Sequence, residues 1–228
     1  MTVLSPGANA PLPSGDLTVL IRHGTIPGAE IDVAAFLVTG TGKVRSDADM
    51  CFYGQPSVAA GAVALAGTTG EETRFLVAPG RIPAGVEKVV FTATIHDNRA
   101  AFGQLSEIGL EVGGVSGRIR CAGMTETALV LAELYQRNGA WKVRIVGQGF
   151  NGGLAKLATH LGVEIEASPS EVVRPHTPPS PALFSSGASS RVSLEKRVEA
   201  EAPHLLSLAK KATVSLEKNR LEGVKARV

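Results

Sequence analysis

The sequence has no hydrophobic run approaching the roughly 20 apolar residues that a helix needs to cross a bilayer. Its N-terminus also lacks the charged stretch and apolar core of a secretory signal. Hydrophobic residues make up 44% and charged residues 19% of the 228-residue chain, which is typical of globular proteins. These features predict a soluble, cytoplasmic protein without a membrane span.

Cysteine is scarce as well. Only Cys51 and Cys121 are present, and their separation matches no metal-ligand spacing. Two buried free thiols are therefore favoured over a disulfide, which stays open as the alternative.

Local catalytic motifs are missing from the chain. The five histidines show neither HxH nor HxxxH spacing, and there is no nucleophile elbow or phosphate-binding loop. Gly147-x-Gly149-x-x-Gly152 matches a dinucleotide-binding string, but no second strand and no ribose-binding acid follow it. The sequence predicts a protein that is not an enzyme, with no catalytic or cofactor-binding residues. A hydrolase or nucleotide binder that uses the Gly147–Gly153 segment is the alternative.

The net charge of +2 is unevenly distributed. From Arg191 onward there are nine Lys or Arg and five Asp or Glu, whereas the preceding residues hold fourteen and sixteen. The body is therefore mildly acidic and the tail basic. Because aromatic residues do not alternate with the basic ones along the chain, we expect no nucleic-acid partner.

Short strand patterns separated by turn residues fill most of the chain. The clearest are Leu17 to Arg22, Glu30 to Val38 and Lys88 to His96. Helical patterns are nearly absent before Gly152, so the crossover helices of a parallel design are missing. The sequence predicts an all-β fold, an antiparallel β-sandwich from Leu17 to Phe150.

The stretch from Thr125 to Val163 predicts two strands followed by one short helix. Asn138-Gly139 is a strong hairpin-turn signal between the strands. Trp141 begins an alternating strand whose inward residues predict a core position for its ring. The glycines from Gly147 to Gly153 predict a sharp exit from the sheet. An apolar stripe then predicts a helix over Gly152 to Leu161.

Changes in composition along the chain divide it into three predicted segments. Residues 1–166 form the predicted sandwich domain, residues 167–190 a linker rich in Pro and Ser, and residues 191–228 a helical segment. Pro203 interrupts the last segment, and its apolar stripe has no partner in this chain. We therefore expect Ser193 to Val228 not to fold stably alone.

Acidic residues gather at predicted strand ends and turns, where oxygen ligands for a hard cation are usually supplied. Simple solvation of polar turns is the alternative explanation. His96-Asp97 is best explained as a strand-end turn, with support of a metal site as the alternative. The acidic residues concerned are Glu30, Asp32, Asp47, Asp49, Glu71, Glu72 and Asp97.

Ordered short motifs over about residues 1–166 make the chain resemble the TerD family of tellurium-resistance and stress proteins. Near the start these are Gly7-Ala8-Asn9, Ile31-Asp32 and Gly42-Lys43-Val44-Arg45-Ser46-Asp47. The middle of the chain adds Phe52-Tyr53, Gln55-Pro56-Ser57, Thr94-Ile95-His96-Asp97 and Phe102-Gly103-Gln104. The best match is at the end: Thr125-Glu126-Thr127-Ala128, Glu133-Leu134-Tyr135, Trp141-Lys142 and Val146-Gly147-Gln148-Gly149-Phe150.

The resemblance implies a β-sandwich that binds Ca²⁺ and accompanies resistance to tellurite and other chemical stress. It implies metal ligands among Glu30, Asp32, Gln55, Glu71 and Glu72. This chain has Glu30-Ile31-Asp32 where the family has Asp-x-Asp, and a shortened acidic loop from Gly67 to Glu72. Since calcium affinity follows the number of charged ligands, we expect weak binding. A structural scaffold whose calcium site has decayed is the alternative.

The resemblance also implies other stress-response proteins of the same system as partners. The tail is similar to the approach to a von Willebrand A-type domain in TerF-like proteins, through Val214 to Lys218 and Ala226-Arg227-Val228. The sequence stops before the metal-binding Asp-x-Ser-x-Ser of such a domain, so a truncated domain is expected.

Overall fold

The computed structural model describes residues 1–163, which hold thirteen strands and one α-helix. The predicted linker and tail lie outside these residues. The strands are β1 (Thr2–Leu4), β2 (Asn9–Pro11), β3 (Leu17–Arg22), β4 (Ile31–Thr39), β5 (Met50–Cys51), β6 (Ser57–Val58), β7 (Val63–Thr68), β8 (Glu72–Val77), β9 (Val86–Ile95), β10 (Glu107–Val112), β11 (Val115–Arg120), β12 (Ala128–Arg137) and β13 (Ala140–Phe150). The helix is α1 (Gly153–Leu161).

The strands form two sheets. The first has seven strands in the order β1-β11-β10-β3-β8-β7-β6, and the second has six in the order β2-β13-β12-β9-β4-β5. Every pair is antiparallel except β1 with β11, which is parallel. The all-β prediction is confirmed, and the predicted extended lead-in before Leu17 adds one edge strand to each sheet.

One hydrophobic cluster takes residues from both sheets. The rings of Phe75 on β8 and Phe91 on β9 meet edge to face, with centroids 5.4 Å apart. Cys51 and Cys121 lie in the same cluster as free, fully buried thiols, which confirms that prediction. Burial raises the pKa of each thiol to about 11, so both stay protonated near neutral pH.

The hairpin between β12 and β13 turns at Asn138-Gly139, where both residues have positive φ, as predicted. The predicted exit from the sheet falls at the end of the glycine-rich stretch, because β13 continues through Gly147 and Gly149 to Phe150. Backbone pairing with β12 holds this part of the strand, with Leu129 opposite Gly149. The chain leaves the sheet only at Gly152, whose φ of 104° favours glycine.

Trp141 is less buried than its pattern predicted. Val143 and Ile145 on the same strand are buried, but Trp141 is only partly buried and packs at the margin of the core. Its strand begins one residue earlier, at Ala140, so the ring lies near the sheet end, where there is less to cover it.

Helix α1 confirms the predicted helix to within one residue. Leu157 and Leu161 bury its apolar side in a second hydrophobic cluster on the outer face of the six-stranded sheet, which also holds Ala34, Phe36 and Val90. Gly162, with a φ of 82°, ends the helix with two backbone hydrogen bonds. None of the helices in residues 1–163 has the length and apolar character needed to span a membrane.

Candidate metal-binding site

The entry into β4 places two carboxylates together. Ile31 is buried in the core, so its neighbours Glu30 and Asp32 turn the other way, because side chains alternate along a strand. Asp32 pairs in register with Thr94 of β9, and its side chain is 28% exposed. The same strand therefore holds an apolar anchor and a half-buried acid next to it.

A polar chain extends from Asp32 along the turn after β9. Nδ1 of His96 lies 3.5 Å from Asp32, and Nε2 lies 3.4 Å from Asp97. Arg99 then donates to Asp97 at 3.0 Å. Asp97 and Asn98 both have positive φ in this tight 3-10 turn, which confirms the prediction of a strand-end turn at His96-Asp97.

Burial and like charge act together on Asp32. Burial raises its pKa, and the charge of Glu30 raises it further, while His96 acts in the opposite direction. Burial also raises the pKa of Tyr53, again with help from Asp32 and Glu30. Tyr53 therefore lies close enough to both carboxylates for their charges to influence its ionisation.

Gln55 forms part of the turn after Tyr53. Its side-chain nitrogen donates to the carbonyl oxygens of Asp47 and Met50, at 3.1 and 2.7 Å. The backbone of Phe52 and Gln55 closes the same turn with two hydrogen bonds. The amide is thus held within its own turn, and only its oxygen stays available as a ligand.

Glu71 and Glu72 belong to a different environment. Glu72 begins β8 in the seven-stranded sheet, whereas Asp32 lies in the six-stranded sheet. Arg22 and Arg74 form salt bridges with Glu72 at 3.7 and 3.3 Å. The charges of Glu71 and Glu72 both favour the protonated form of His23, against the larger effect of burial on its pKa. The structure therefore brings Glu30 and Asp32 together, whereas Glu72 pairs with two arginines and Glu71 lies next to His23 through its backbone.

Asp49 has a structural role. It is buried, and Arg45 donates to both of its oxygens, at 2.8 and 2.7 Å, in a bidentate pair. Burial alone would raise the pKa of Asp49, but the hydrogen bonds and charge of Arg45 outweigh it and lower the pKa. A carboxylate already satisfied in this way is a poor candidate for a metal ligand.

Within residues 1–163, no group of three or more His, Cys, Asp or Glu side chains is arranged to hold a metal ion. Of the predicted ligands, Glu30 and Asp32 are the two carboxylates whose like charges act on each other. Ca²⁺ takes about 6–8 oxygens, so most of its ligands there would be backbone carbonyls and water. The sequence offered His96 only as an alternative support of a metal site, since only the fold brings its ring to Asp32.

The fold defines a two-sheet β protein in which two neighbouring carboxylates, Glu30 and Asp32, lie at the start of β4. The TerD domain family matches residues 17–161, and the chain belongs to the TerD family.

Two curated relatives agree with this assignment. The tellurium resistance protein TerD of Alcaligenes sp is 35% identical over 150 residues, covering 59% of this chain and 78% of the relative. General stress protein 16U of Bacillus subtilis (strain 168) is 33% identical over 152 residues, covering 60% and 79%.

A solved structure agrees in fold. A homologue of a telluride resistance protein from Streptomyces coelicolor A3(2) superposes with a TM-score of 0.51 at 16% identity, covering 63% of this chain and 95% of the other.

Proposed function

We propose that this chain is a non-catalytic stress-response protein of the cytoplasm that contributes to resistance against tellurite and other chemical agents through protein partners. Relatives called a tellurium resistance protein and a general stress protein support the biological setting. The hydrophobic cluster shared by the two sheets supports a β-sandwich scaffold.

Within this role, Glu30 and Asp32 bind Ca²⁺ weakly, with the turn that holds Gln55 as an additional oxygen source. The observation that carries this proposal is the position of Glu30 and Asp32 on either side of buried Ile31 at the start of β4, where burial and the charge of Glu30 raise the pKa of Asp32. A divalent cation would relieve the repulsion between the two carboxylates. With so few charged ligands, the dissociation constant should be on the order of 10⁻⁴–10⁻³ M.

Thermal unfolding in the presence of Ca²⁺ tests the site. Binding to the native state adds RT ln(1 + [L]/Kd) to stability, so millimolar Ca²⁺ should raise the melting temperature of the wild type. Asp32→Asn keeps the shape, removes the charge and should abolish this increase. Asp16→Asn is the matched control, because Asp16 is exposed and distant in sequence.

The variant should also fold well without the ion. The folded-state pKa of Asp32 lies above its unfolded value, so the fold disfavours the ionised form, and stability is lost as the pH rises through the folded pKa. At neutral pH, Asp32→Asn should therefore melt at or above the wild-type temperature when no Ca²⁺ is present. If Ca²⁺ leaves the wild-type melting curve unchanged, the alternative of a scaffold with a decayed site is correct.

The biological proposal needs a separate experiment. The chain should restore growth on tellurite to a bacterial strain lacking its own TerD-family proteins. Growth equal to that of an empty vector would contradict the proposed role, whatever the result with Ca²⁺.

A further inference from the structure

The outer face of the six-stranded sheet carries basic side chains arranged around one carboxylate. Glu133 of β12 lies between Lys88 of β9 and Arg144 of β13, with nitrogen–oxygen distances of 3.0 and 3.1 Å. Tyr135 follows on the same face and pairs in register with Lys88 on one side and Lys142 on the other. Together with Arg137, which alternation puts on the same face, these residues form what we term the basic platform.

Within the basic platform the carboxylate of Glu133 is largely buried, whereas the cationic groups around it are exposed to solvent. The Glu133 side chain is 12% exposed, whereas those of Lys88 and Arg144 are 37% and 44% exposed. Arg137 and Lys142 form no salt bridge with any residue in the described part of the chain. Four cations and one carboxylate give the platform a net charge of +3. Its outward surface is therefore positive, on a body that is acidic in total.

The platform is also well ordered by its own contacts. Three hydrogen-bonded strands carry it, and Glu133 fixes one cation on each side. The guanidinium of Arg144 lies over the ring of Tyr135, 5.6 Å from its centroid. Side chains held in place lose less entropy on binding than free ones do, so these contacts favour an interaction surface.

We propose that the basic platform binds an acidic segment of a partner protein. This inference rests on the proposed function, in which the chain acts through protein partners. Charge complementarity identifies the occupant, because several carboxylates spaced along a peptide can each accept hydrogen bonds from Lys142, Arg137 or Lys88. The hydroxyl of Tyr135 supplies a further donor.

The same geometry disfavours a nucleic acid as the occupant. Single strands are bound by aromatic rings on which bases stack, next to an uninterrupted positive path for the backbone. Here Arg144 already lies over the ring of Tyr135, and the Glu133 carboxylate interrupts the cations.

Fluorescence anisotropy with the full chain tests the proposal, using a labelled peptide of about ten glutamates in a buffer of low ionic strength, where surface charges are least screened. The test variant is Arg137→Gln/Lys142→Gln, which leaves both partners of Glu133 in place. It should weaken binding by about tenfold, since two charge-assisted contacts are lost. The matched control, Arg118→Gln/Arg120→Gln, removes two cations from β11 in the other sheet and should weaken binding by less than about twofold.

Two results would overturn the proposal. Equal weakening by both double variants would show that the peptide responds only to total charge. Tighter binding of a thymidine oligonucleotide of equal charge, lost in the platform variant, would assign the surface to nucleic acid. Neither result affects the Ca²⁺-dependent melting of the wild type, so the inference can fail while the proposed site at Asp32 stands.

Discussion

At the residue scale, His23 shows how burial sets the charge state of a side chain. Its ring is 2% exposed at the end of β3, and Nδ1 donates to the carbonyl of Gly24 at 2.8 Å. Nε2 is then free to accept from the hydroxyl of Thr73 at 3.4 Å. Burial lowers the pKa of His23, although Gly24, Glu71 and Glu72 act in the opposite direction.

The lowered pKa of His23 predicts that acid destabilises this fold. The unfolded chain takes up a proton on this ring more readily than the native state does, so stability falls as the pH drops below the ordinary value of 6.5. We expect His23→Gln to flatten the loss of stability between about pH 7 and pH 5, measured by urea unfolding at several pH values. His160→Gln, at an exposed histidine, should keep the wild-type slope.

Gly117 marks a close approach between the sheets. A Cβ at this position of β11 would collide with the side chain of Ile145 on β13. We expect Gly117→Ala to lower the free energy of unfolding by about 1–3 kcal/mol, because overpacking forces neighbouring side chains out of place. Gly67→Ala, where the added Cβ meets no atom within 4 Å, should change stability by less than about 0.5 kcal/mol. Equal effects in a denaturant titration would show that the sheets are not tightly packed at Gly117.

At the element scale, α1 is stabilised by what it covers. A nine-residue helix is marginal in water, and Gly152 provides no side-chain cap at its start. Its stability therefore comes from Leu157 and Leu161, packed on the outer face of β9 and β12.

Leu157→Ala tests this dependence. The side chain is fully buried, so we expect a loss of about 2–5 kcal/mol in the free energy of unfolding. Ala155→Ser, on the exposed side of the same helix, should cost no more than about 0.5 kcal/mol through helix propensity. A small effect of Leu157→Ala in thermal and denaturant unfolding would mean that the helix contributes little to the fold.

At the scale of the whole molecule, the first eleven residues join the two sheets. β1 lies at the edge of the seven-stranded sheet and β2 at the edge of the six-stranded sheet. Between them, the backbone nitrogen of Gly7 donates to Ile145 at 2.7 Å. Leu4 and Ala10 enter the shared core from these two strands. A short segment thus covers the margin of both sheets.

This arrangement gives neighbouring residues opposite sensitivities. Leu4 is buried and Val3 is 73% exposed, because alternate side chains of β1 face opposite ways. Leu4→Ala should lower the free energy of unfolding by about 2–5 kcal/mol, whereas Val3→Ala should change it by less than about 0.5 kcal/mol. Unfolding curves of both variants measure this difference. Similar small losses would indicate that the lead-in is not part of the core.

The sequence by itself determined the strands, the main hairpin and the helix, because their signals are local. Alternation in Leu17 to Arg22 predicted β3 to the residue, and Asn138-Gly139 predicted the turn through backbone conformation alone. The TerD-family motifs are likewise short stretches of consecutive residues, so the sequence alone reveals them. Local signals failed at Trp141, where exposure depends on neighbours distant in sequence.

Only the tertiary structure decided which polar side chains meet. Glu30, Asp32, Glu71 and Glu72 looked equivalent along the chain, but the fold places Glu30 next to Asp32 at the start of β4 and pairs Glu72 with two arginines in the other sheet. The same folding brings His96 to Asp32 and gathers Lys88, Glu133 and Arg144 on one face. The reason is that pairing between distant strands sets these distances, and no local pattern specifies which strands become neighbours.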